Sequence, residues 1–512
     1  MIPVPGFEGR RVAVFGLGRS GITAARALKA GGAIPILWDD SVSGRMQAEA
    51  EGFQVQDLAV ADWSGFAALV LSPGAPLTHP KPHWSVERAQ AAGVPVVGDV
   101  ELFARALAAR PKDQRSRVVA ITGTNGKSTT TALIGWVLKS AGLTVHVGGN
   151  IGIGVLALPD PTPDAVYVIE VSSYQLDLTT TFAPDVAILT NISPDHLDRH
   201  GGMDGYVAAK ARLFAAQPDD GVALIGVDDA WGQGIAQGLS QRVVTVSTSA
   251  HPGESRDPGL SPGHDARDQD RTSSQPLDRP EHWVPAFAGM SGLEAQPGSI
   301  GSQGAILADL TPARSLPGRH NSQNAAFAYA AARALGVSHA AAVKGLLTFP
   351  GLAHRMEAVG QIGPVRFVND SKATNADAAR QALASYPSVF WIAGGVPKAG
   401  GIDDLSDLFP RVARAYLIGQ AADAFAVTLG QTPHVVCRTL DAAVAAAAAD
   451  AASAGGDQVV LLSPACASFD QFPDFEARGE AFRAAVQNLG AQNLGALNLD
   501  AQAPGAGPQD KA

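Results

Sequence analysis

Seven residues constrain this chain more than any other stretch: Thr122-Gly123-Thr124-Asn125-Gly126-Lys127-Ser128. The apolar run Val118-Val119-Ala120-Ile121 precedes them and reads as a buried strand, and Thr129 to Leu138 reads as the start of a helix. Strand, glycine loop, Lys-Ser and helix in that order form a phosphate-binding loop. Its backbone N–H groups and the positive end of the helix face the anion. Lys127 can reach outer phosphates and the Ser128 hydroxyl can ligate Mg²⁺. The usual spacing would place a glycine at position 121, which is Ile121, so the loop is a variant of the general pattern. Gly123, Thr124, Asn125, Gly126, Lys127, Ser128, Thr129 and Thr130 are therefore the expected nucleotide-binding residues.

The rest of the chain supplies the setting for this loop. Its 512 residues suffice for about three domains. A net charge of −10 with no long basic run argues against nucleic acid as a partner. Two cysteines cannot build a disulfide framework, the first residues do not form a signal peptide, and no apolar run is long enough to span a membrane. A soluble, cytoplasmic protein is expected. Strands alternate with helices in three blocks, which predicts α/β domains with parallel sheets and ligands at the strands' carboxyl ends. The expected divisions are 1–112, 113–350 and 351–487, with an irregular Pro/Gly/Ser-rich insertion at 251–302 and a flexible tail at 488–512.

In the first block, Gly16-Leu17-Gly18-Arg19-Ser20-Gly21 follows a strand, and Asp39-Asp40 lies about 20 residues on. That pattern suits a dinucleotide such as NAD(P) but accepts any diphosphate at a helix N-terminus, or serves only as a tight turn. Glu170 ends a strand in the same block as the phosphate loop, where a carboxylate suits Mg²⁺; alone it would be an exposed strand-end acid. His196 can be a structural hydrogen-bonder, a metal ligand or a substrate contact. Lys210 can be a solvated helix lysine. Asn321 and Asn324 share a helix face and can be ordinary caps. Arg355 offers a planar fork for phosphate, Asp370 suits a ribose or a water-mediated Mg²⁺ contact, and Lys372 suits phosphate or carboxylate.

Taken as strings, these residues carry a resemblance. TGTNGKS, the Glu170-Val171-Ser172-Ser173-Tyr174-Gln175-Leu176 run, Asn191 to Asp198, Tyr206 to Lys210, His320 to Asn324 and Asn369-Asp370-Ser371-Lys372-Ala373-Thr374-Asn375 fall in the order seen in the Mur ligase family. Members of that family join amino acids to a peptidoglycan precursor. The likeness covers residues 8 to 485 apart from the insertion. It implies an N-terminal Rossmann-like domain for a UDP-sugar substrate, a central P-loop ATPase-like α/β domain and a C-terminal Rossmann-like domain for the amino acid. It implies ATP and two Mg²⁺ ions, and a monomer is expected. Ser128, Glu170 and a carbamylated Lys210 would hold metal, and Asn321, Asn324, Arg355 and Asp370 would contact nucleotide. Gly18, Arg19, Ser20, Asp39, Gly74, Asn150 and His196 would line the UDP-substrate cleft. Lys127, Lys210, His196, Arg355 and Lys372 would carry catalysis.

Within the family, NDSKATN and Ser463 to Phe472 resemble the branch that adds D-glutamate to UDP-N-acetylmuramoyl-L-alanine. That implies Thr374, Lys398, Ser468 and Phe475 around D-glutamate. A sister ligase for another amino acid is the nearest rival. An oxidoreductase built on GLGRSG is the rival from another class, and it leaves TGTNGKS and NDSKATN without a role.

Overall fold

The computed structural model describes residues 1–248, 292–313, 315–397 and 400–500. The chain divides into two compact units, one of residues 1–313 with 319–349, the other of residues 314–318 with 350–512. Among the described residues each sheet follows from alternating apolar strands and helices, as the sequence predicts.

The first unit holds two sheets. One comprises β1 (Arg11–Phe15), β2 (Ile34–Trp38), β3 (Gln54–Val55), β4 (Phe66–Leu71) and β5 (Val96–Val97), all parallel in the order β3-β2-β1-β4-β5. The order reverses beside β1, and the crevice there is where such sheets bind ligands. The loop Gly16–Gly21 sits at that point. Gly16 has φ +85°, and a Cβ there would lie 2.4 Å from Ser72 Cβ, so the turn needs glycine.

The other sheet comprises β6 (Arg117–Thr122), β7 (Thr144–Gly149), β8 (Ala165–Glu170), β9 (Val186–Leu189), β10 (Val222–Gly226), β11 (Arg242–Ser247), β12 (Gly292–Gln296), β13 (Ser299–Ser302) and β14 (Ala305–Asp309). Its order is β14-β13-β12-β11-β10-β9-β6-β8-β7. β6 lies between β8 and β9, so the phosphate loop, the Glu170 strand end and the Asn191–Asp198 segment emerge side by side. The two sheets share one continuous core running from Val12 and Val14 through Phe103 to Val118 and Tyr167. The helix Asp99–Ala108 makes the join, with Phe103 packing 5.3 Å from the Tyr167 ring and 6.4 Å from Phe182.

The second unit carries β15 (Glu357–Ile362), β16 (Val365–Asn369), β17 (Val389–Gly394), β18 (Val412–Ile418), β19 (His434–Arg438) and β20 (Gln458–Leu462) in the order β15-β16-β20-β17-β18-β19. Only β15 pairs antiparallel. Asn369 ends β16, the first parallel strand inside the β15 edge, and Asp370 follows it.

Two expectations need correction. Residues 292–302 are not irregular: β12 and β13 extend the central sheet, β12 parallel to β11 and β13 antiparallel to β12. Two short turns, at Pro297-Gly298 and Gln303-Gly304, allow this, with φ of +78° at Gly298, +52° at Gln303 and +77° at Gly304. The remainder of the expected insertion, 251–291, lies outside the described residues. The boundary expected at 487 also falls inside a helix. A helix runs from Phe475 to Asp500. Its Ala, Leu, Gln and Asn tolerate helix despite the glycines, and the first proline downstream is Pro504. Residues 501–512 lie outside the described residues.

Candidate active site

The helix Lys127–Ser140 starts at the end of β6, and Gly126 is its left-handed N-cap with φ +82°. A Cβ on Gly126 would sit 2.6 Å from Asn324 Oδ1, and one on Gly123 would sit 1.9 Å from Thr190 Oγ1. Both glycines are therefore required by close approach. The loop is tied down from below. Thr190 Oγ1 donates to Asn125 O at 2.6 Å, Asn125 N donates to Asn191 Oδ1 at 2.9 Å, and Thr124 Oγ1 donates to Ser193 O at 3.1 Å. Thr130 Oγ1 donates to Asn324 Oδ1 at 3.1 Å, while Asn324 Nδ2 donates to Asn321 Oδ1 at 3.2 Å. Asn321 and Asn324 are both buried, supporting the loop from the helix Arg319–Ala334. Ser128 and Thr130 are buried in the first turn of the loop's helix, with Thr129 beside them.

Two lysines converge on one carbonyl. Lys127 Nζ donates to Gly123 O at 3.0 Å and to Thr124 O at 2.7 Å. Lys210 Nζ donates to Gly123 O at 2.7 Å and lies 4.5 Å from the Tyr206 ring centroid. Lys210 is 1% exposed. Burial, and then the charge of Lys127, hold its amine well below the usual lysine range. A buried, readily neutral amine fits the requirements of a lysine that reacts with CO₂. It does not fit the solvated alternative.

His196 is half-exposed, with left-handed backbone at φ +53°. Burial pulls its imidazole below the ordinary value, against the opposing pull of Asp195, and Lys127, Lys210 and His200 add to the depression. An imidazole whose proton is held less tightly than usual suits a ligand or substrate contact.

Glu170 is 2% exposed, and its Oε1 accepts from Asn150 Nδ2 at 2.8 Å. Its buried Oε2 has no hydrogen-bond partner. An orphaned carboxylate oxygen at the end of the strand beside the phosphate loop fits a hard divalent cation. Among the described residues no group of three or more His, Cys, Asp and Glu could hold a metal by itself. Mg²⁺ is usually held by one or two carboxylates together with substrate phosphates.

At the first sheet, Gly18 caps the helix Arg19–Ala30. Arg19 turns to Gly152 O at 2.6 Å and Asn150 O at 3.4 Å. Both oxygens of Asp39 accept backbone bonds, from Leu17 N at 2.5 Å and Ser41 N at 2.7 Å, so this acid shapes the glycine loop itself. Gly74 lies in the turn after β4, where Ala75 N donates to Ser72 O at 3.0 Å.

The second unit has its own cluster. Asp370 is buried, accepting from Ser463 Oγ at 2.8 Å and Met356 N at 3.2 Å. Burial pushes its carboxyl up to about 7, with Ser463 and Arg355 pulling the other way. Lys372 Nζ lies 5.4 Å from the Phe475 ring centroid, and Thr374 N donates to Lys372 O at 2.8 Å. Ser468 is buried, and its carbonyl accepts from Gln471 N and Phe472 N. Lys398 lies outside the described residues. Sequence reasoning missed Arg478, which is 1% exposed and binds Ser371 Oγ, Ser371 O and Cys466 O, clamping two loops of the cluster. A single arginine inside a helix gives no sequence signal of that role. Cys466 is packed rather than reactive, since burial pushes its thiol up to about 12.

The Asp370 shift sets a pH dependence. The folded state holds this proton more tightly than the unfolded chain, so the contribution to stability falls as pH rises from about 4 to about 7. Asp370→Asn keeps an acceptor for Met356 N and a donor for Ser463. The advantage in thermal midpoint of this variant over the unmodified protein is expected to grow across that window and level off above it. A pH-independent difference would refute the assignment.

Comparison with known proteins places this geometry. Residues 121–268 match the Mur ligase middle domain, and residues 354–466 match the glutamate ligase domain of the Mur ligases. The UDP-N-acetylmuramoylalanine--D-glutamate ligase of Caulobacter vibrioides is 60% identical over 492 residues, covering 96% of this chain and 98% of its own. The chain belongs to the Mur ligase family. The enzyme of the same name from Phenylobacterium zucineum is 58% identical over 490 residues, again covering 96% of this chain and 98% of its own. Among solved structures, UDP-N-acetylmuramate-alanine ligase MurC from Thermotoga maritima shares the fold with a TM-score of 0.53 at 16% identity, covering 94% of this chain and 99% of its own. The three α/β sheets are thus those of a Mur ligase. Among the described residues no helix is long and apolar enough to cross a membrane.

Proposed function

We propose that this chain joins D-glutamate to UDP-N-acetylmuramoyl-L-alanine at the expense of ATP, in the cytoplasm, where both nucleotides are available. The orphaned Glu170 Oε2 beside the TGTNGKS loop carries the phosphoryl-transfer half of the reading. The D-glutamate ligases that match nearly the whole chain support the choice of amino acid.

A carboxylate is a poor acyl donor because its leaving group would be oxide. The γ-phosphoryl group of ATP therefore passes to an oxygen of the L-alanine carboxylate and ADP departs. The D-glutamate amine then attacks the acyl carbon, phosphate leaves, and the amine gives up a proton. Such transfers need positioning and charge neutralisation more than covalent help. The N–H groups of Gly126 to Ser128 and the Lys127 ammonium bind the outer phosphates. Ser128, Glu170 and a carbamylated Lys210 would hold Mg²⁺, with His196 at the same edge. Mg²⁺ supplies neutralisation of phosphate charge when bound. Carbamylation converts the Lys210 amine, disfavoured as a cation, into an anion that suits metal. In the second unit, Arg355 and Asp370 serve the nucleotide, while Lys372, Thr374, Lys398, Ser468 and Phe475 serve D-glutamate.

The test is phosphate release with UDP-N-acetylmuramoyl-L-alanine, ATP and a panel of amino acids. D-glutamate is expected to be used at least about a hundredfold more efficiently than L-glutamate, L-lysine or meso-diaminopimelate, the difference that about 2–3 kcal/mol of lost charge-assisted contact makes. Equal use of another amino acid would overturn the D-glutamate assignment and leave the ligase reading standing.

A further inference from the structure

Between the two sheets of the first unit lies a buried polar bridge that the reaction as described does not use. The helix Asp99–Ala108 belongs to the first sheet's part of the chain, and its first turn carries Asp99 and Glu101, both essentially buried. Its N-cap, Gly98, donates to Leu178 O, and a Cβ there would lie 2.9 Å from Leu178 Cβ. The helix thus starts against the segment that follows β8.

Asp99 connects two site elements. Gln175 Nε2 donates to its two oxygens at 3.1 and 3.2 Å and Val100 N donates to Oδ1 at 2.9 Å, while the helix that opens with Arg19 and Ser20 packs against the helix of Asp99, with Ser20 beside its carboxylate. Ser20 belongs to the glycine loop of the first sheet. Gln175 closes a reciprocal capping box with Ser172, accepting from Ser172 N and Oγ at 3.1 Å each. Ser172 is two residues beyond Glu170. Glu101 is the comparison. It accepts from Thr180 N at 2.8 Å and Thr181 N at 2.9 Å, from both threonine hydroxyls, and from Arg105. It fastens the same helix to the same segment but touches neither loop.

We propose that Asp99 is a positioning residue that, through Gln175, fixes the glycine loop of the first sheet relative to the Glu170 strand end. It rests on the reading of the glycine loop as the UDP-substrate site. A substrate held by its diphosphate at one loop must deliver its carboxylate to the phosphoryl group at the other. An error of about 1 Å in that delivery costs about a hundredfold in rate without weakening binding at either end.

The chemistry of the bridge provides the test. Gln175→Glu keeps the capping box, which accepts Glu or Gln, but sets a carboxylate against Asp99. Adding Asp99→Asn restores a donor facing an acceptor. Gln175→Glu is expected to lower kcat about a hundredfold with the dissociation constants for ATP and the UDP substrate within about threefold, and the double variant to recover to within about fivefold. Glu101→Gln, which weakens only the fastening, is expected to lower the thermal midpoint while kcat stays within about twofold. The proposal is overturned if kcat simply follows thermal stability across these variants, if Asp99→Asn does not rescue Gln175→Glu, or if the loss lies in substrate affinity. An unmodified enzyme that releases no phosphate with the UDP substrate is a separate result. It would remove the functional reading and this role with it.

Discussion

Lys127→Ala is expected to reduce kcat for ligation by about two to three orders of magnitude while affinity for the UDP substrate stays within about twofold. The reason is positional. Lys127 is the first residue of the helix that follows the Gly126 cap, and its ammonium lies on the carbonyls of the loop that would cradle the phosphates. Losing one such preorganised charge removes stabilisation that grows as phosphoryl transfer proceeds. The glycine loop that would bind the UDP substrate is carried by a different sheet, so ground-state binding there is spared. A second consequence follows from the shared carbonyl at Gly123. The Lys127 charge is one of the causes that depress Lys210. Removing it raises the affinity of Lys210 for a proton and lowers the fraction of amine free to react with CO₂. Steady-state kinetics and isothermal titration with the UDP substrate check the first effect. A variant with near-normal turnover would remove Lys127 from the reaction.

The phosphate loop was legible because its demands are local: an apolar strand, glycines at two points of close approach, and a lysine and serine opening a helix. Glu170, His196 and Lys210 could be placed at one site only because their strings matched a family in order. Nothing in single-sequence periodicity says that Lys210 turns inward to Gly123 O or that β8 lies beside β6. Asp39 shows the limit in the other direction. Its spacing from the glycine loop suits a ribose contact, yet one oxygen holds the loop's own backbone at Leu17 and the other holds Ser41 in the turn after β2. Residues 292–302 were misread because Gly, Ser and Gln obscure the alternation, although Pro297-Gly298 and Gln303-Gly304 were turn signals. The Asp99–Gln175 bridge was invisible because it joins residues 76 positions apart whose pairing depends on how two sheets pack. Arg478 was missed for the same reason: its partners at Ser371 and Cys466 come from other strand ends.

Lys210→Ala is expected to be nearly inactive, with kcat down at least about a hundredfold, and to regain part of its turnover when a small carboxylate such as formate or acetate is added. The Lys210 side chain is buried beside the Tyr206 ring and ends at Gly123 O of the phosphate loop. Truncation leaves room for a small anion where the carbamate would stand. The unmodified protein in ¹³C-labelled bicarbonate should show a carbamate carbon signal that Lys210→Ala lacks. Stability gives an independent reading. The folded state holds the Lys210 proton less tightly than the unfolded chain, whose lysines titrate near 10.5. Between the depressed folded value and about 10.5 the unfolded chain binds more protons, so this lysine's contribution makes stability rise with pH across that window. Lys210→Met, close in volume and uncharged, should flatten that rise and be the more stable protein at neutral pH, while remaining inactive because it offers no anion to metal. Full activity in Lys210→Ala would sink the metal-bridging role. Loss of activity with no carbamate signal in the unmodified protein and no rescue would leave Lys210 a support for Gly123 and nothing more.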